Sequence, residues 1–105
     1  MNRYRKWRIR RKYLSLGILI RVFFSGHDFD SFGETIEEIV ESFGDYNGKD
    51  ETRCLKNEII EMLKTEDDSE LEVYMELLAE KEFNPLPWGE TWRSFLQRVL
   101  RTLSA

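Results

Sequence analysis

Chemistry-bearing side chains are scarce in this chain. Its 105 residues include one cysteine, Cys54, and one histidine, His27. A single thiol cannot close an intramolecular bridge, so no disulfide framework exists, which suits a reducing cytoplasm. A nucleophilic Cys or Ser needs a base beside it, and nothing in the sequence pairs His27 with either. A zinc site needs several Cys or His ligands, and there are two such residues in all. No glycine-rich phosphate loop of either standard kind occurs. The loop-like acids Asp28, Asp30, Asp45 and Asp50 lack the alternation and closing Glu of a calcium loop. These absences lead us to expect no enzyme, no catalytic residue, no metal and no cofactor.

Proline and glycine are also few, at 2 and 6, and no low-complexity tract appears. That points to helices rather than to a loop-rich sandwich. No apolar run approaches the roughly 20 residues of a membrane span. The longest, Leu14 to Phe24, carries Arg21 inside it. A secretory signal would share its basic start, but no A-x-A-like pair follows the interruption.

What the chain has in quantity is charge, 34% of its residues. The net −4 divides into +8 over residues 1–21 and −12 over the remainder. The basic residues of the first part are Arg3, Arg5, Lys6, Arg8, Arg10, Arg11, Lys12 and Arg21. Such a split describes two electrostatic faces, or a basic arm on an acidic body. The acidic body should repel nucleic acid and attract a basic partner.

The apolar residues fall at helical spacing. Trp88, Trp92, Phe95, Leu96, Val99, Leu100 and Leu103 make one stripe, opposite Glu90, Arg93, Gln97, Arg98 and Arg101. Pro85 and Pro87 separate that stretch from whatever precedes it. Its aromatics are read as core. Residues 1–24 admit two readings. Leu14, Leu16, Ile18, Ile20, Val22 and Phe24 alternate as in a strand, while Ile9, Tyr13, Leu16, Ile20 and Phe23 lie at helical spacing. Helix is favoured, because no second run could pair with a lone strand.

Ser31 with Glu34 reads as a capping box for a helix that buries Ile36, Ile39, Val40 and Phe43 and stops at Gly44. Asp45 to Asp50 reads as a polar loop with an Asn47-Gly48 turn. A third helix buries Leu55, Ile59, Met62 and Leu63. Ser69 with Glu72 reads as a second capping box, before Leu71, Tyr74, Met75 and Leu78. The expected fold is therefore all-α, a single-domain bundle of about five helices near residues 9–24, 33–44, 51–64, 69–82 and 89–103. Residues 1–12 form a basic N-terminal arm or the start of the first helix. Short connections make sequential helices antiparallel.

Several of these features occur together in one known family. Phe23-Phe24 precedes Asp28-Phe29-Asp30 and Phe32-Gly33. Then come the Glu-Glu-Ile-Val helix at 37–40, Leu55-x3-Ile59, Glu70-Leu71 to Leu77-Leu78, and Trp92-x2-Phe95-Leu96 after a proline loop. In that order they resemble the CdiI-type immunity proteins of bacterial contact-dependent growth inhibition, over about residues 14–103. Phe29 stands where that family usually has Trp, and one extra residue separates Phe24 from Asp28.

The resemblance implies a cytoplasmic antidote that binds the toxin domain of a cognate effector, often a nuclease with a basic cleft. The expected contact residues are Asp28, Phe29, Asp30, Glu34, Glu37, Glu38, Glu41 and Asp45, with Phe29 and Phe32 as aromatic candidates. A solvated helix face is the plainer account of those acids. The expected partner is a protein toxin domain, with no direct nucleic acid, no membrane span, and a monomer or weak dimer as the state of the chain. The rival reading is a nucleic-acid or membrane-surface adaptor acting through residues 3–12. A third is a subunit whose partner covers the Trp-rich helix.

Overall fold

The computed structural model describes residues 3–24 and 32–104, with side chains from Trp7 onward in the first helix. Those residues form five α-helices and no strand: α1 (Arg3–Lys12), α2 (Leu14–Ile18), α3 (Ile36–Leu63), α4 (Asp68–Ala79) and α5 (Trp92–Ser104). A π-helical stretch, Leu19–Phe24, extends α2, and a 3₁₀ turn, Leu86–Trp88, precedes α5. The helical reading of residues 9–24 stands, with the helix beginning earlier, at Arg3. Arg and Lys are good helix formers, and Arg10, Arg11 and Lys12 suit the negative end of α1.

Most of the expected stripe residues are core, while Ile9, Leu63, Tyr74, Trp88, Leu100 and Leu103 are only partly buried against it. Tyr13, Leu16, Ile20 and Phe23 are buried with Ile36, Ile39, Val40 and Phe43, and these meet Leu55, Ile59, Met62, Leu71, Met75, Leu78, Phe95, Leu96 and Val99. The π-helical stretch adds Leu19 and Phe24, because its wider turn presents two adjacent pairs, Leu19-Ile20 and Phe23-Phe24, to the interior. Phe23 then stacks toward Phe32 (4.4 Å) and Phe43 (5.3 Å). Phe24 turns toward Phe83 and Phe95, both at 5.1 Å. One short segment thus seeds two aromatic clusters.

The α3 helix departs from expectation. Its run continues past Gly44, and the six-residue loop is reduced to one residue out of helical conformation, Gly48 (φ 86°, ψ 179°). That backbone region is essentially open to glycine alone. In a straight helix residues 44 and 52 would be about 12 Å apart along the axis. A Cβ on Gly44 would stand 3.5 Å from Thr52 Oγ1, so the two halves fold sharply back on one another. The turn foreseen at Asn47-Gly48 exists, in a tighter form. Asn47 Nδ2 donates to the Phe43 carbonyl (3.0 Å) and Thr52 Oγ1 to the Gly48 carbonyl (2.7 Å), which supplies partners at the break.

The caps also shift. Thr35, not Ser31, caps α3: its Oγ1 accepts from the Glu38 N–H (3.1 Å), and Glu38 accepts from the Glu34 N–H (3.0 Å). Thr35 is extended, as an N-cap must be, whereas Ser31 lies outside the described residues. Gly33, at φ 141°, lets this turn close; a Cβ there would meet Glu38 Cβ at 2.5 Å. Asp67 displaces Ser69 as the cap of α4, accepting from both the Ser69 and Glu70 N–H groups. Asp67 sits at the extended position just before the helix, where its oxygen reaches both N–H groups and its charge gains from the helix dipole. The last stretch is divided rather than continuous: Gly89 is left-handed, Thr91 caps α5, and Trp88 joins the core from the 3₁₀ turn. It packs near Phe24 (6.0 Å) and Phe83 (6.4 Å).

Candidate partner-binding surface

The site begins with the periodicity of α3. At about 100° per residue, Ile36, Ile39, Val40 and Phe43 take one side, and Glu38, Glu41 and Asp45 take the opposite one. Those three acids are exposed. Glu38 is engaged in the cap just described. Glu41 and Asp45 form no ion pair among the described residues. Glu34 lies exposed just before the helix. Glu37 sits on the flank toward α5. There Arg98 grips it with two bonds, Nε to Oε2 at 2.5 Å and Nη2 to Oε1 at 2.8 Å, while Nη1 reaches Glu90 at 3.2 Å. The Arg98 hydrogen bonds hold the Glu37 carboxyl below its usual range, and the two carboxylates push the guanidinium's pKa up. The structure therefore brings Glu34, Glu38, Glu41 and Asp45 along one ridge and commits Glu37 to a clasp between helices. Asp28, Phe29 and Asp30 lie outside the described residues.

Phe32 packs inward, between Phe23 and Tyr46. Ser42 Oγ donates to its carbonyl at 2.5 Å, which ties the segment before α3 to the helix. Tyr46 is the residue that the sequence reading passed over. It is 74% exposed, yet its ring makes T-shaped contacts with Phe32 (5.6 Å) and Phe23 (6.1 Å). The available signal was its position three residues after Phe43, which makes sense only if the helix runs past Gly44.

The basic arm takes a different role from a free tail. Arg10 pairs with Glu80, Lys12 with Glu61 (3.8 Å), and Arg21 with Glu80 (3.6 Å). Arg21 also donates to the Leu78 carbonyl at 2.7 Å, where a cation suits the end of α4. Between α1 and the turn before α4 lies a 1090 Å³ groove whose walls mix Arg8, Arg11 and Lys64 with Glu66, Asp67 and Glu70. Trp92 is buried and Trp88 half-buried, so the chain covers its own Trp-rich stretch. No helix among the described residues is long and apolar enough to cross a membrane.

No curated protein and no solved structure matches the chain. A family model described as CdiI immunity protein matches residues 12–103, which span every helix described except most of α1. With nearly the whole helical body inside that match, the chain belongs to the CdiI immunity protein family.

Proposed function

We propose that this immunity protein neutralises its toxin by laying the ridge of Glu34, Glu38, Glu41 and Asp45 against a basic cleft that would otherwise hold nucleic-acid phosphates. The observation that carries this reading is the placement of Glu41 and Asp45. They stand directly opposite the core face of α3 and are unpaired among the described residues, while Glu37, Glu61, Glu80 and Glu90 each have a cation beside them. Carboxylates left over after internal pairing provide the field that steers a cationic partner. The chain then acts by occlusion in the cytoplasm, as a monomer or weak dimer, and needs no cofactor.

The test is binding to the C-terminal toxin domain of the effector encoded beside this chain, at low and high salt. The wild-type chain binds at both, faster at low salt. The double substitution Glu41→Lys with Asp45→Lys weakens binding at least about tenfold, roughly 1.4 kcal/mol. An Asn57→Lys control on the second half of α3 changes it little. Absence of wild-type binding at either salt removes the proposal.

A further inference from the structure

We infer that Tyr46 is the aromatic anchor of this interface and takes the aliphatic stem and charged head of a toxin Arg or Lys. The inference rests on the acidic-ridge reading above. A lone exposed aromatic is ordinary on a protein surface. Tyr46 differs in being both exposed and held. Its ring meets Phe32 and Phe23, which belong to the interior or lean on it, in T-shaped contacts. The turn that carries it is tied down by Asn47 on the Phe43 carbonyl, and Ser42 fixes the Phe32 backbone below the ring. A ring already restrained on one side loses less conformational entropy when a partner covers it.

Charge then selects the occupant. Tyr46 lies on the flank of α3 between the core face and the ridge, about 100° round the helix from Asp45, so a cation on its ring is within a Debye length of that carboxylate. A cation over an aromatic ring gains from the ring's quadrupole, and more so once water is excluded. A neutral apolar side chain would gain the ring contact and forfeit the carboxylates. A phosphate would meet repulsion. Tyr and Arg are the residue types most often found as energetic centres of interfaces, and they pair across them.

The experiment measures association and dissociation of the full-length chain with the same toxin domain. Tyr46→Ala is expected to weaken binding about thirtyfold, mostly through faster dissociation, while Tyr46→Phe stays within about threefold because the ring is kept. Hydrogen exchange on the wild-type pair gives a readout that needs no variant: backbone amides of residues 41–47 gain protection in the complex. A folded Tyr46→Ala that binds within threefold of wild type overturns the inference, and so does unchanged exchange over residues 41–47. If Glu41→Lys with Asp45→Lys loses binding and Tyr46→Ala does not, the ridge survives and the anchor falls. If the wild-type chain does not bind at all, both fall.

Discussion

The two halves of α3 make an internal comparison. Residues 36–47 and 49–63 share one core and one helical period and carry four acids each, with no base in the first and three in the second. They use that charge differently. The second half engages its own: Asp50 pairs with Arg53, Glu61 with Lys64 and Lys12, and Glu51 and Glu58 accept from the Ser15 hydroxyl and the Leu16 N–H of α2. The first half commits Glu37 to Arg98 and leaves Glu41 and Asp45 facing water. Identical residue types are thus a scaffold in one place and a surplus in another. Unpaired carboxylates contribute more to the field that a cationic partner meets than paired ones do, and Glu41 and Asp45 lie on the first half.

The comparison depends on the join. Gly48 holds φ 86° and ψ 179° with no neighbour within 4 Å of where a Cβ would stand. Space is therefore available, and any penalty for a side chain comes from the backbone. Gly48→Ala is expected to lower stability by about 1–3 kcal/mol, read as a fall in melting temperature. Asn, which tolerates the ordinary left-handed region, does not rescue it, because ψ here is extended rather than near +45°. An unchanged melting temperature would mean that the halves are not locked in this arrangement.

Much of this was legible beforehand, for a physical reason. Ile36, Ile39, Val40 and Phe43, like Trp92, Phe95, Leu96 and Val99, are spaced by the helix period, and burial of one face is enforced along each segment. What escaped was decided by competition or distance. The caps are Thr35 and Asp67 rather than the expected Ser31 and Ser69, because α3 and α4 begin at Ile36 and Asp68 and the residue just before each is extended. The length of the break at Gly48 depends on how closely the two halves pack, which no local pattern encodes. The Glu37–Arg98 clasp joins residues 61 apart, so the sequence shows two charges and not their meeting. That clasp pairs one of the expected contact acids, Glu37, with α5, and the same continuation of α3 that moved the turn brought Tyr46 into view.

A second contrast lies within the second half. Glu58 Oε1 accepts the Leu16 N–H at 3.0 Å and serves as a long-range cap for α2. No cation pairs with it among the described residues. Burial pushes its pKa up, against the pull of that hydrogen bond, and the charge of Glu51 adds to the rise. A folded-state value above the unfolded one means the ionised form is disfavoured by folding. The associated stability is present at low pH and is lost as pH rises through the folded value. Glu58→Gln keeps an acceptor without the charge, so it should raise the melting temperature at pH 7 and lose that advantage near pH 4. Glu58→Ala strands the Leu16 N–H and should cost about 1–3 kcal/mol. Equal losses from both at pH 7 would show that the charge itself stabilises α2.

Glu37 carries the opposite sign and the smallest effect. Its pKa is depressed, chiefly by the Arg98 hydrogen bonds. Its contribution is therefore present above the ordinary carboxylate pKa of about 4.3 and lost as pH falls through the lower folded value. The side chain is 40% exposed, and that of Arg98 33%, so solvent screens the pair. Its worth is below about 1 kcal/mol at neutral pH. Arg98→Gln should lower stability by that amount at pH 7, and the gap from wild type should close as the solution is acidified below about pH 4. Salt should narrow the gap as well, since exposed pairs are screened. Toxin binding should hold or strengthen, because Glu37 would then join Glu41 and Asp45 facing outward. A loss of binding in a folded Arg98→Gln chain would place the contact on the α5 side of the clasp and break the division between spent and surplus charge.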